Sequence, residues 1–66
     1  MKFILTNTED RDSEILPSVL DCLEVIDDMI GASSVNDLVH YERIIRLKGR
    51  VDDEKIEPFT IERVAA

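Results

Sequence analysis

One cysteine, Cys22, and one histidine, His40, are all that a chain of 66 residues offers toward a covalent or metal staple. A lone thiol closes no internal disulfide, and one thiol with one imidazole does not make a metal cage. Below roughly 70–80 residues a hydrophobic core alone supplies about 3–5 kcal/mol. Such a chain must pack its apolar residues tightly into one domain, expected here over residues 1–66, or lean on a second chain, its own copy or a partner. Apolar residues make up 44% of the sequence, enough for a folded core and too many for a disordered segment. The aromatic residues are Phe3, Tyr41 and Phe59, so Ile, Leu and Val must build most of that core.

Residues 2–6 read as a short strand and residues 7–12 as a polar connector, where Asn7, Asp10 and Asp12 favour turns. The strongest periodic signal covers residues 15–30. Ile15, Val19, Cys22, Ile26 and Met29 recur at intervals of four and three, and Leu16, Leu20, Leu23 and Ile30 form an adjacent stripe. This pattern predicts a helix that covers a sheet, with Gly31 as its left-handed stop. Its start has two readings. Either Asp12 or Ser13 caps it, or Pro17 occupies the first helical position and residues 13–16 form an extended lead-in.

After a small-residue loop over 32–37 the period changes to two. Val39, Tyr41, Ile45, Leu47 and Val51 then share one strand face, with Arg43 and Gly49 interrupting. The competing reading is a helix over 35–48, capped by Ser34 and ended by Gly49. Residues 52–55 read as a turn and 56–64 as a final strand containing Phe59 and Ile61. Pro58 donates no hydrogen bond, so that strand is expected at an edge or with a bulge. The expected fold class is α+β: one small domain in β-α-β-β order, with one helix packed on a three-stranded, mainly antiparallel sheet.

The net charge of −7 falls in the first half of the chain. Residues 1–37 hold nine acids against Lys2 and Arg11, whereas residues 38–66 hold six of each sign. Asymmetry of this kind either keeps a small protein soluble or faces something basic.

Enzymatic chemistry finds no constellation here. Cys22 lies on the apolar stripe, which makes it a buried thiol rather than a nucleophile. His40 falls on the outer strand face with no base or metal partner. Two glycines, Gly31 and Gly49, do not make a phosphate loop, and Asp52, Asp53 and Glu54 lack calcium-loop spacing. No cofactor and no metal are expected. The N-terminal apolar stretch, residues 3–5, is too short for an export signal, and no run approaches the ~20 residues of a membrane span. With a free thiol, these features lead us to expect a cytoplasmic protein without membrane contact.

Surfaces carry the remaining signal. Glu14, Asp21, Glu24, Asp27 and Asp28 lie on or beside the expected helix with no base among them, and Asp27 and Asp28 oppose its dipole. Arg46, Lys48 and Arg50 would share the outer face of the middle strand, paired across to Glu57 and Glu62. That stripe lacks aromatic residues and the net charge repels a polyanion, so direct nucleic-acid binding is not expected. Val25, Leu38 and Ile44 have no evident place in the core, which opens the possibility of a homodimer.

Ser13-Glu14-Ile15-Leu16-Pro17, then Val25-Ile26, Ile30-Gly31 and Asp37-Leu38-Val39-His40, resemble part of the uracil-DNA glycosylase inhibitors of phages. That family is small, acidic and mimics DNA. The resemblance implies that Glu14 and Ile15 form an inhibitory edge and that Asp27 and Asp28 imitate phosphates. In size and charge, though not in sequence, the chain also looks like other phage inhibitors such as anti-CRISPR proteins.

The expected function is that of a non-enzymatic inhibitor of a basic, nucleic-acid-handling protein. Its expected contact residues are Glu14, Ile15, Asp21, Glu24, Val25, Asp27 and Asp28. Two alternatives stand beside it. One is an antitoxin or immunity protein that neutralises a small basic toxin. The other is an assembly subunit that self-associates through Leu38, Ile44, Arg46 and Lys48.

Overall fold

Pro17 divides a strand from a helix. A proline pushes the residue before it into extended backbone, and Leu16 accordingly ends a strand. The computed structural model describes residues 1–64; Ala65 and Ala66, the last residues of the expected domain, lie outside the described residues. Strands β1 (Phe3–Asn7) and β2 (Asp12–Leu16) form an antiparallel hairpin. Its turn begins with an Asn7 side chain that accepts from the Glu9 N–H at 3.0 Å, and Arg11 takes a left-handed φ of 60°. Residues 13–16 are thus extended, and the reading that began the helix at Ile15 is corrected.

Helix α1 (Val19–Ile30) starts one residue beyond Pro17, on Ser18. The Ser18 hydroxyl oxygen accepts from the Asp21 N–H at 3.1 Å and the hydroxyl donates to the Asp21 carboxylate at 2.8 Å. This cap satisfies an otherwise orphan donor, so Pro17 stands outside the helix rather than at its first position. Val19, Cys22, Leu23 and Ile26 are buried, and Gly31 ends the helix at φ 69°, as its position in the sequence predicts.

A 3₁₀ turn (Ser34–Asp37) leads into helix α2 (Leu38–Lys48). The expected middle strand is therefore a helix, and the competing reading of residues 35–48 holds over 38–48 with Gly49 as its stop, while its start is corrected: residues 34–37 form the 3₁₀ turn and the Ser34 hydroxyl bonds Asp27 rather than capping α2. Tyr41 and Ile45, one turn apart, are buried, and Leu38 and Ile44 pack at the margin of the core. Val39 and Leu47, assigned to the core by the period of two, are exposed. The β-branched Val39, Ile44 and Ile45 favour a strand only weakly, and packing against α1 and the sheet overrides that preference.

Gly49, at φ 81°, ends α2 and passes the chain to β3 (Arg50–Val51). A second 3₁₀ turn (Glu54–Ile56), capped by Asp53, precedes β4 (Phe59–Arg63). The antiparallel sheet has the order β2-β1-β4-β3. β4 is therefore an interior strand, not an edge. Pro58 is tolerated because it sits just before the strand, where its carbonyl accepts from the Thr8 N–H and the Thr8 hydroxyl, each at 2.8 Å. The α+β class and the helix-on-sheet layering hold, with four strands in place of three and two α-helices in place of one among the described residues.

Register decides which face is covered. Phe3, Leu5, Val51, Phe59 and Ile61 turn toward the helices and are buried. Ile4, Thr6, Ser13, Ile15, Thr60 and Glu62 line the open face. Helix α1 lies over β1, β2 and β4, and α2 over β3 and β4. The helices run antiparallel: Asp27 near the end of α1 holds Ser34 and Val35 just before α2, and Val19 at its start lies beside Ile45 and Arg46. Among the described residues no helix is long and apolar enough to cross a membrane.

Candidate functional site: an acidic groove beside the edge strand

The period of two along β2 sorts its side chains. Glu14 pairs with Leu5 and Asp12 with Asn7, which sets both carboxylates on the helix side of the sheet. Because β2 is an edge strand, α1 leaves a cleft along it. Asp10, Asp12 and Glu14 line one wall, Val25 and Met29 of α1 the other, and Leu5 and Phe59 lie beneath. The cleft measures about 200 Å³, below the roughly 300–1,000 Å³ of pockets that enclose small ligands. It suits a partner's protruding side chain better than a metabolite.

The outer face of α1 continues the charge. Glu24 and Asp28 are exposed, and Asp21 is half-buried beside its capping serine. Among the described residues the one ion pair joins Arg50 to Asp52 at 3.7 Å, on the far edge of the sheet from β2. Among the described residues no base forms an ion pair with the carboxylates of the groove, and Arg11, in the hairpin turn between Asp10 and Asp12, is the base nearest to them in sequence.

Not every expected contact residue shares this surface. Glu14, Asp21, Val25 and Asp28 gather around the groove and its rim, with Glu24 further out on α1. Ile15 points to the opposite face of β2, beside Ile4, and is 61% exposed there. Asp27 is occupied within the fold. Its carboxylate accepts from the Ser34 N–H at 2.8 Å, the Ser34 hydroxyl at 2.6 Å and the Val35 N–H at 3.0 Å. Burial raises the Asp27 pKa, but these hydrogen bonds outweigh that effect and hold it below the usual carboxylate value.

Three groove residues escaped the sequence reading: Asp10, Asp12 and Met29. The alternation over 12–16 was the signal for two strand carboxylates on one face, and it was hidden by the helical period assigned from Ile15 onward.

The expected self-association set changes as well. Leu38 and Ile44 turn toward the core because residues 38–48 are helical, while Arg46 and Lys48 remain exposed on α2. Of the expected cross-strand charge pairs, the sheet register provides Arg50 opposite Glu62. His40 is exposed on α2, its ring tilted against Tyr41 at 5.4 Å. Cys22 is fully buried. Burial first, then the charge of Asp21 and to a lesser degree that of Glu14, push its thiol up to about 11. Among the described residues no three His, Cys, Asp or Glu side chains converge as metal ligands.

No family model matches the chain, and no curated protein or solved structure matches it either.

Proposed function

We propose that this chain is a non-catalytic binding protein that occupies the polyanion site of a basic, nucleic-acid-handling protein and thereby blocks it. One observation carries the reading: Asp10, Asp12 and Glu14, none of them in an ion pair among the described residues, face apolar Val25 and Met29 across a groove on an edge strand. Carboxylates steer a basic partner over a distance of about a Debye length, roughly 8–10 Å at physiological salt. Apolar side chains then supply the desolvated contact on which most interfaces depend. The free edge of β2 adds backbone donors and acceptors that an incoming segment can pair. Asp21, Glu24 and Asp28 extend the field along α1.

The test immobilises the protein and passes over it the heparin-binding fraction of the source cell. The expected result is capture at low salt, release at high salt, and loss of nucleic-acid binding or turnover by the captured protein when the chain is added back. The variant D12K/E14K captures weakly and inhibits weakly. Equal capture by that variant, or a captured protein that keeps full activity on nucleic acid when saturated, overturns the reading. A captured small toxin whose poisoning is relieved would replace it with the antitoxin role.

A further inference from the structure

The hydrogen bonds around β1 fix which backbone groups of β2 are left over. The Thr8 N–H donates to the Pro58 carbonyl at 2.8 Å and the Val64 N–H to the Lys2 carbonyl at 2.9 Å, so the even-numbered residues of this segment bond toward β4. Bonded pairs alternate along an antiparallel strand. Phe3, Leu5 and Asn7 therefore bond toward β2, where they face Leu16, Glu14 and Asp12. Ser13 and Ile15 are left with N–H and carbonyl groups directed away from the sheet, at its outer edge. This edge has defined ends. Pro17 has no N–H with which to extend it, and Arg11 turns the chain away at φ 60°.

The side chains beside these groups form a pattern. Asp12 and Glu14 lie on the helix side, across the groove from Val25 and Met29. Ser13 and Ile15 lie on the open side, where the Ser13 hydroxyl meets that of Thr6 at 3.1 Å and Ile15 lies beside Ile4. A strand laid along β2 thus meets a carboxylate at every second residue on one face and an isoleucine on the other. A second copy of this chain is a poor occupant. The antiparallel register in which two copies use both residues sets Ser13 opposite Ile15, and it puts Glu14 opposite Glu14.

We propose that the edge of β2 takes an extended segment of the partner protein as a further antiparallel strand, with arginine or lysine at alternate positions and β-branched residues between them. The proposal rests on the reading of the groove as a surface for a basic protein, and it specifies the element that enters. Residues of the segment opposite Ser13 and Ile15 exchange hydrogen bonds with them. Residues opposite Asp12 and Glu14 fall in the close, non-bonded pairs, with Cα atoms about 4.5 Å apart, and their basic side chains enter the groove. The methylene stems lie on Val25 and Met29, and the charged ends reach Asp10, Asp12 and Glu14. A valine opposite Ile15 enlarges the apolar patch of Ile4 and Ile15 on the open side.

The test adds the end-blocked peptide Arg-Val-Arg-Thr-Arg to the isotope-labelled full chain at low salt and follows the amide resonances. The N–H signals of Ser13 and Ile15 shift on binding, and their exchange with solvent slows. Methylating the peptide nitrogens of valine and threonine, which face the Ile15 and Ser13 carbonyls, weakens binding by at least about tenfold. Methylating the nitrogen of the central arginine, which points away from β2, leaves affinity within about twofold. The variant D12K/E14K loses the peptide; circular dichroism verifies its fold, and should it unfold, the methylated pair on the unmodified chain decides. Equal affinity of the two methylated peptides overturns the proposal, since bases are then held by charge with the strand edge unused. A parent peptide that does not bind also overturns it, and leaves Asp12 and Glu14 as guards against edge pairing. Neither result touches the groove reading, which the capture of a basic protein decides separately.

Discussion

The N–H and the hydroxyl of Ser34 both donate to one carboxylate oxygen of Asp27, at 2.8 and 2.6 Å. With the Val35 N–H on the other oxygen, this carboxylate ties the last turn of α1 to the turn that begins the second helix. Asp27→Ala leaves the Ser34 and Val35 N–H groups without their acceptor and leaves the buried Ser34 hydroxyl only the Leu23 carbonyl, 3.4 Å away. The expected loss is about 1.5–3 kcal/mol, the range for hydrogen bonds to a charged group, read from the urea midpoint. Acid adds a second readout. A carboxyl whose folded pKa is lowered stabilises the fold above its ordinary value, and that contribution disappears as pH falls through the lowered one. Asp27→Asn removes this acid-dependent loss. An Asn variant with the parent's full acid dependence would assign the titration to other groups.

Ile45 and Leu47 distinguish helix from strand over residues 38–48. A strand puts both on the core face; α2 buries Ile45 and leaves Leu47 76% exposed. Ile45→Ala should cost about 2–5 kcal/mol, enough to unfold a large fraction of so small a domain. Leu47→Ala should change stability by less than about 0.5 kcal/mol when measured on the monomer. Comparable losses at the two positions would contradict the helix.

That pair of residues also shows how far the sequence could be read. A glycine at a helix end can be read locally, whereas the helix starts cannot: Pro17 lies outside α1, and Ser34 precedes α2 without capping it. Gly31 has to stop α1 because a left-handed residue without a Cβ is what a helix end of this kind uses. The stripe of Cys22, Leu23 and Ile26 has to be buried because no other spacing fits it. Where two periods overlap, local information is not enough. Val39-His40-Tyr41-Glu42-Arg43-Ile44-Ile45 satisfies alternation and a helical stripe equally, and the sheet that pairs around it decides. The groove was half legible. Glu14 and Val25 were found by charge and by helical position. Asp10 and Asp12 were not, since their placement depends on a hairpin whose second strand runs directly into a helix.

Cys22 supplies a probe of opening. Its side chain has no exposed surface and its thiol is pushed up to about 11, so at neutral pH it is neither accessible nor ionised. Labelling with a disulfide reagent should proceed only through unfolding, slowed relative to the urea-unfolded chain by the folding equilibrium constant. Labelling at the rate of a free thiol would place Cys22 outside the core.

Tyr41 is the single tyrosine, so its ionisation is read without overlap from others. Burial, reinforced by the charge of Asp53 and the 3.4 Å hydrogen bond to it, raises the hydroxyl to about 12. The unfolded chain ionises near 10, so stability falls as pH rises from about 10 to about 12. Tyrosine absorbance and the alkaline unfolding signal should therefore change together. Ionisation near 10 with the fold intact would show a solvated hydroxyl.

Asp28 is where stability and recognition pull in opposite directions. It sits exposed in the last turn of α1, a helix with no base in that turn, and among the described residues no ion pair includes it. A carboxylate there faces the negative end of the helix dipole. Asp28→Lys should stabilise the monomer by about 0.3–1 kcal/mol at low ionic strength, measured by urea unfolding at dilute protein. The same change should slow association with a basic partner and flatten its dependence on salt, because steering acts mainly on the on-rate. A stability gain with unchanged association limits Asp28 to solvation of the surface and removes it from the interface. A stability loss shows instead that this carboxylate serves the fold, as that of Asp27 does.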